Sequence, residues 1–118
     1  MSCIIVWNLV LDENGKPNIG PFNGPGFITI NSRTKEITRS NEYWAMKHYT
    51  HAGHRGSKRF DTQGDLEAVA HVAFVNPDDT KTLVLSNTGA ARRAQLRLGH
   101  LMTEISLPAN SITNLSWV

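Results

Sequence analysis

Carboxylates and histidines are the residues in this chain that could carry out chemistry. General acid–base or nucleophilic catalysis by carboxylates needs two carboxyl groups close together, with environments that push their pKa values apart. Asp12-Glu13 and Asp78-Asp79 are neighbours in turn-like segments, where side chains do not converge on one substrate. The other glutamates, Glu36, Glu42, Glu67 and Glu104, are isolated along the chain. The spacing therefore predicts no catalytic pair, and we assign no catalytic residue.

A second candidate for chemistry is the histidine group His48, His51 and His54. Two helical histidines three residues apart share a face, but a zinc site needs three or four converging ligands. His54 follows Gly53, which we expect to end the helix. We therefore predict no metal site, and nothing in the sequence calls for a cofactor.

The elements that would position these residues follow from apolar periodicity. An unbroken apolar run over residues 3–11 predicts a strand buried on both faces, with Cys3 as a small buried hydrophobe. A Pro- and Gly-rich loop and a short hairpin follow, and Ser40 then caps the one helix, with Trp44 as its core-facing anchor.

From Ser57 onward every segment has the pattern of a short antiparallel strand, with turns at regular intervals. The predicted fold is mainly β: an antiparallel β-sandwich with one α-helix, preceded by a strand and a hairpin. We divide the chain at residues 1–56 and 57–118, which together form one compact unit.

Composition narrows the function classes. The chain has 118 residues, 40% of them hydrophobic and 19% charged, and a formal net charge of +2, which is typical of soluble globular proteins. The scattered Lys and Arg residues argue against a nucleic-acid partner. No apolar stretch is long enough for a membrane span, and the first one lacks the flanks of a signal peptide, so the compartment is left open.

Several motifs in a fixed order resemble the C-terminal part of the glucosylceramidase-like glycoside hydrolases, family 30. The matching motifs are Trp7-Asn8-Leu9, Pro17-Asn18, Ile28-Thr29-Ile30-Asn31, His48-Tyr49, Gly56-Ser57-Lys58-Arg59, Leu83-Val84-Leu85 and Leu107-Pro108-Ala109-Asn110-Ser111-Ile112, with Trp117 near the end. The resemblance implies a last barrel strand at residues 4–11 and a last barrel helix at residues 40–52. Residues 58–118 would form the β-sandwich packed against a (β/α)₈ barrel.

The resemblance also bears on activity. Family members are retaining β-glycosidases whose two catalytic glutamates precede the part resembled here, so the chain alone is expected not to be an enzyme. Trp7 matches the family tryptophan that lines the sugar pocket, and Asn18 matches the family's Pro-Asn, although Ile19 replaces the usual aromatic residue after it. Trp7 and Asn18 are therefore the candidate sugar-binding residues for a β-glycoside or oligosaccharide.

Three functions remain open at this point. The first is a non-catalytic accessory module that supports a catalytic barrel. The second is a free-standing carbohydrate-binding module with Trp7, Tyr43 or Tyr49 as an aromatic platform. The third is a fragment that completes a barrel chain in trans. Because an exposed apolar strand invites pairing, we expect residues 4–11 to fold onto the sandwich or to form a homo-oligomer.

Overall fold

The computed structural model describes residues 4–21 and 24–118, so the prediction for Cys3 lies outside the described residues. Within those ranges the chain forms nine strands and one helix. The elements are β1 (Val10–Leu11), β2 (Ile28–Ile30), β3 (Ile37–Arg39), α1 (Asn41–Ala52), β4 (Lys58–Phe60), β5 (Val69–Val75), β6 (Lys81–Asn87), β7 (Arg92–Leu98), β8 (Leu101–Leu107) and β9 (Ser111–Trp117). The predicted class, mainly β with antiparallel sheets and one helix, is confirmed.

The first compact unit, which ends at Lys47, contains a three-stranded sheet in the order β1-β2-β3. β1 runs parallel to β2, with Val10 opposite Ile28, and β2 and β3 form the predicted hairpin. The turn of that hairpin is held by Asn31, whose Oδ1 accepts the backbone N–H groups of Arg33 and Thr34.

The first strand is much shorter than predicted. Only Val10 and Leu11 are in strand conformation, and residues 4–9, which we call the apolar segment, are not. The prediction failed because apolar side chains do not supply hydrogen-bonding partners for the backbone N–H and C=O groups of a strand. The neighbouring strand, β2, has only three residues with which β1 can pair. β1 also joins β2 and β3 rather than the sheets of the sandwich, so the expectation of an added sandwich strand is wrong.

The helix begins as the sequence predicts. The Ser40 hydroxyl oxygen accepts the backbone N–H of Tyr43 at 3.2 Å, which satisfies one of the free donors of the first turn. Glu42 lies in that first turn, where a negative charge is favourable. The helix ends at Ala52, directly before Gly53.

The second unit, from His48 onward, is built on a four-stranded antiparallel sheet in the order β4-β5-β6-β9 and on the β7–β8 hairpin. Its core contains residues from both sheets: Ala73, Leu83, Leu85, Ala94 and Leu107. Trp117 packs against this cluster, as predicted for a core or edge residue of the sandwich. The shared core of two antiparallel sheets makes this unit a β-sandwich.

One buried side chain fixes the ends of several strands. Asn87 is fully buried, and its Nδ2 donates to the carbonyl oxygens of Ala90 at 2.9 Å and Pro108 at 2.7 Å. These acceptors lie in the β6–β7 and β8–β9 connections, so one amide joins both connections at the same end of the sandwich. The boundary predicted at residues 56 and 57 stays a prediction.

Candidate functional site

Trp7 lies in the apolar segment, just before β1, and its side chain is 86% exposed. The apolar residues around it are also exposed: Ile4, Ile5, Val6 and Leu9. The nearby backbone is held by Asn8 and Leu9, whose carbonyl oxygens accept the N–H groups of Phe27 and Ile28. An indole ring in this position is open to a ligand, because sugar rings stack on an accessible aromatic face. Sugar binding by Trp7 stays a prediction.

The loop after β1 has a well-defined conformation. Asp12 Oδ1 accepts the backbone N–H groups of Asn14 and Lys16, both at 2.8 Å, and the Asp12 carbonyl oxygen accepts that of Gly15 at 3.0 Å. Asn18, the second predicted sugar-binding residue, follows in this loop and is half-buried. Asp12 therefore shapes the backbone from which Asn18 extends, while the sugar contact of Asn18 stays a prediction.

The carboxyl groups of Glu13 and Asp78 both have a lowered pKa. The hydroxyl and the N–H of Ser32 donate to Glu13 and lower the pKa of that carboxyl below its ordinary value. The N–H of Thr80 donates to Asp78 and lowers its pKa in the same way. A general acid in glycoside hydrolysis needs the opposite shift. Both groups therefore have a structural explanation, as turn-stabilising carboxylates.

Two of the three histidines in the predicted group make separate contacts, each with a different asparagine. His48 contacts Asn114, and the backbone N–H of His54 donates to Asn76 Oδ1 at 3.2 Å. In the described part of the chain, no group of three or more His, Cys, Asp or Glu residues could hold a metal ion. The absence of a metal site stays a prediction.

Two aromatic rings in the first turn of the helix lie against two cations, one from β3 and one from α1. The rings of Tyr43 and Trp44 meet edge to face with centroids 5.2 Å apart. Arg39 lies over Tyr43 at 5.6 Å from the ring centroid, and Lys47 lies over Trp44 at 5.2 Å. Trp44 is 47% exposed, so its prediction as a core-facing anchor is wrong: its ring meets Tyr43 and a cation instead of entering a core.

The contact between Arg39 and Tyr43 affects the aromatic platform that a carbohydrate-binding module would need. One face of Tyr43 is covered by the Arg39 guanidinium and is therefore less available for stacking on a sugar. Tyr49 belongs to the second unit and is partly exposed. Trp7 is thus the most accessible of the three predicted platform residues.

The second unit contains a set of helix–sheet contacts that sequence reasoning missed. His48 and Asn114 are joined by two hydrogen bonds, and the Thr82 hydroxyl donates to the carbonyl oxygen of Ala52. A Cβ placed on Gly53 would lie 3.6 Å from the Phe74 ring, so the backbone there runs close to the sheet. Small residues at positions 52 and 53 were the available signal for this close approach.

Among the described residues, no helix combines the length and the apolar character required to cross a bilayer.

Comparison with known proteins gives concordant results. The model of the glycosyl hydrolase family 30 β-sandwich domain matches residues 56–115. "Putative glucosylceramidase 3" of Caenorhabditis elegans is 28% identical to this chain, and the match covers 94% of this chain and 22% of that protein.

Two solved structures are similar. SrfJ from Salmonella typhimurium has a TM-score of 0.88 at 24% identity, over 94% of this chain and 25% of its own, and shows the fold alone. The endo-β1,6-glucanase BT3312 has a TM-score of 0.83 at 29% identity, over 97% of this chain and 26% of its own. The chain thus spans about a quarter of the length of these relatives.

Proposed function

Because this chain belongs to the glycosyl hydrolase family 30 β-sandwich domain family, we propose that it is a non-catalytic accessory module that supports the catalytic barrel of a glucosylceramidase-like hydrolase. The family predicted from the sequence is confirmed by the same match. The accessory role and the barrel partner are the parts that we propose.

The observation that carries the proposal is the exposed apolar segment beside a parallel strand pair. Residues 4–9 hold four large aliphatic side chains and Trp7, all exposed, and lead directly into β1. A contiguous exposed apolar surface marks an interaction site. Parallel strands occur almost entirely in sheets covered on both faces, which β1 and β2 by themselves do not provide. A barrel that accepts residues 4–11 as its last strand would satisfy both requirements.

The chain alone is proposed not to hydrolyse glycosides. The carboxyl groups of Glu13 and Asp78 have lowered pKa values, and both stabilise turns. Incubation of the chain with fluorogenic β-glucosides is expected to give no turnover above that of buffer. Turnover that disappears on substitution of a single glutamate would contradict this part of the proposal.

The decisive experiment uses a barrel from a relative. The part of the Caenorhabditis elegans protein outside the matched quarter is co-expressed with this chain, and complex formation is measured by co-purification and by the melting temperature of the barrel. We expect a complex in which the barrel melts at a higher temperature. The variant Ile5→Ser/Trp7→Ser is expected to abolish the complex, because the substitutions remove two large side chains from the apolar segment.

The matched control is Leu98→Ser/Leu101→Ser, which removes two other exposed apolar side chains, from the β7–β8 hairpin. It is expected to leave the complex intact. Equal loss in both variants, or no complex with the unaltered chain, would refute barrel support through the apolar segment. Recovery of glycosidase activity in the complex would favour the fragment that completes a barrel in trans.

A second candidate function is carbohydrate binding, which the exposed indole of Trp7 favours. In an ¹⁵N–¹H spectrum titrated with β-glucosides and β-1,6-gluco-oligosaccharides, saturable movement of the Trp7 indole signal is the expected result. Asn18→Ala should weaken the response, and Asn110→Ala should not. A spectrum unchanged at millimolar sugar would exclude this function for the isolated chain. Homo-oligomerisation through residues 4–11 stays a separate prediction.

A further inference from the structure

The turn that follows β1 contains an asparagine–glycine pair, Asn14-Gly15. In such a pair the backbone nitrogen of the glycine can attack Cγ of the asparagine side chain, because glycine has no Cβ to hinder the approach. The glycine N–H loses its proton to hydroxide, the new N–C bond closes a succinimide ring, and the side-chain nitrogen takes a proton from water and leaves as ammonia. Water then opens the ring at either carbonyl carbon, which gives an aspartyl or an isoaspartyl residue.

The two residues of the pair differ in accessibility. Asn14 is exposed, whereas Gly15 is buried. The N–H of Gly15 donates to the backbone carbonyl oxygen of Asp12 at 3.0 Å. The reaction requires this N–H to give up its proton, and hydroxide has no access to a buried N–H that is already bonded to a carbonyl oxygen. In the closed turn, the exposed amide of Asn14 therefore has no nucleophile beside it.

The side chain of Asp12 holds the turn on both sides of Gly15. Its Oδ1 accepts the N–H groups of Asn14 and Lys16, each at 2.8 Å, and the Asp12 N–H donates to the Lys16 carbonyl oxygen at 2.6 Å. Hydrogen bonds to a carboxylate are stronger than those between neutral groups. The stability of these bonds therefore determines how often the Gly15 N–H is released.

We propose that Asn14-Gly15 is a deamidation site controlled by Asp12: the closed turn suppresses the reaction, and opening of the turn permits it. Opening of an exposed turn is a local event that needs less free energy than unfolding of the whole chain. Because the modification is irreversible, it accumulates with the time that the turn spends open.

The isoaspartyl product cannot form the same turn again. It has one additional methylene group in the backbone between residue 14 and Gly15, in the middle of the hydrogen bonds that Asp12 makes. The adjacent Glu13 accepts the hydroxyl and the N–H of Ser32, which lies in the β2–β3 hairpin. A displaced turn breaks these contacts as well, so the modification releases the loop after β1 from the hairpin.

Deamidation of the 118-residue chain at neutral pH is followed by mass spectrometry of its peptides, which separates Asn14 from the second Asn-Gly pair of the sequence, Asn23-Gly24. We expect Asp12→Ala to accelerate the reaction at Asn14 about five- to thirtyfold, because the lost hydrogen bonds favour the open turn. Asp12→Asn keeps an acceptor at the same place and should retain most of the protection. The matched control, Asp78→Ala, removes a carboxylate that holds a turn in the second unit and should leave the rate unchanged.

A synthetic peptide of residues 10–18 gives the rate of the open turn, and it serves as the reference even if Asp12→Ala fails to fold. The folded chain should react more slowly than the peptide, and in concentrated guanidinium chloride the two rates should agree. In the purified isoaspartyl product, the Ser32 amide signal of the ¹⁵N–¹H spectrum should move. An unmoved signal would refute the release of the loop.

Three results would overturn the control of the reaction by Asp12: a folded chain that reacts as fast as the peptide, an Asp12→Ala variant as slow as the unaltered chain, or an Asp12→Asn variant as fast as Asp12→Ala. The last result would assign the protection to the charge of Asp12 instead of its hydrogen bonds. Because the measurements use no barrel and no sugar, their outcome is independent of the proposed function.

Discussion

His48 Nδ1 and Asn114 Oδ1 lie 3.0 Å apart, and the Asn114 amide donates in return to the His48 carbonyl oxygen at 2.7 Å. Because the amide oxygen can only accept, this contact favours the His48 tautomer with its proton on Nδ1. This reciprocal pair fastens the last part of α1 to the middle of β9, which are distant in the sequence. Together with the hydrogen bond from Thr82 to Ala52, it joins the helix to the sheet within the second unit.

Replacement of Asn114 by alanine should destabilise this unit. Both hydrogen bonds are lost and half-buried groups of His48 are left without partners, which costs about 1–3 kcal/mol in the free energy of unfolding. Urea denaturation followed by circular dichroism measures the change. Ser116→Ala, at an exposed position of the same strand, is the control and should be nearly neutral. Equal stability of the two variants would show that the pair does not hold the helix.

Truncation of Leu107 should be more damaging. This side chain is 1% exposed at the centre of the sandwich core, so Leu107→Ala leaves a cavity and should cost about 2–5 kcal/mol. Met102→Ala, on the same strand at a site that is 66% exposed, should change the free energy by about 0.5 kcal/mol or less. Thermal unfolding of both variants provides the comparison, and similar losses would contradict a core centred on Leu107.

The role of Ser40 as the helix cap can be tested with one disruptive and one conservative substitution. Ser40→Ala removes the oxygen that accepts the Tyr43 N–H and should cost about 1 kcal/mol. Ser40→Asp keeps an acceptor at the same place and should retain most of the stability. Chemical denaturation distinguishes the two. An aspartate variant as unstable as the alanine variant would mean that the hydrogen bond is not the source of the effect.

The carboxyl group of Glu13 should titrate below its ordinary value of 4.5, because the Ser32 hydroxyl and N–H donate to it. A folded-state pKa that is lowered contributes stability above the unfolded-state pKa, and the contribution is lost as the pH falls through the folded-state pKa. NMR titration of the Glu13 side chain should show the shift, and Ser32→Ala should move the pKa part of the way back up. Ser106→Ala should not move it, and an unchanged pKa in the Ser32 variant would contradict the assigned cause.

The sequence predicted elements whose determinants are local. The alternation of Ala94, Leu96 and Leu98 defined β7, the Ser40 cap defined the start of α1, and the apolar run around Val84 defined β6. Each of these signals lies within a few residues of the structure it produces. The short antiparallel strands expected from Ser57 onward are accordingly the strands β4 to β9 of the sandwich.

The predictions that failed depended on contacts that the apolar character of a residue does not specify. Residues 4–9 have the composition of a strand, but only Val10 and Leu11 meet β2 as strand residues. Trp44 has the position of a core anchor, but Tyr43 and Lys47 contact its ring instead. The contact of Asn114 with His48 left no local trace at all, since an asparagine in a strand has many possible partners. The site residues Trp7 and Asn18 came from family resemblance, and their roles await the titration.

The order of strands in the larger sheet has a consequence for the way the chain folds. β5 and β6 are joined by a short turn, as are β7 and β8, so each pair can form soon after its residues are synthesised. β9 must reach back across the β7–β8 hairpin to pair with β6, which makes it the last strand to dock. During translation one side of β6 therefore waits without its neighbour until residue 117 has left the ribosome. A chaperone that shields β-strand edges would have its longest opportunity to act at β6.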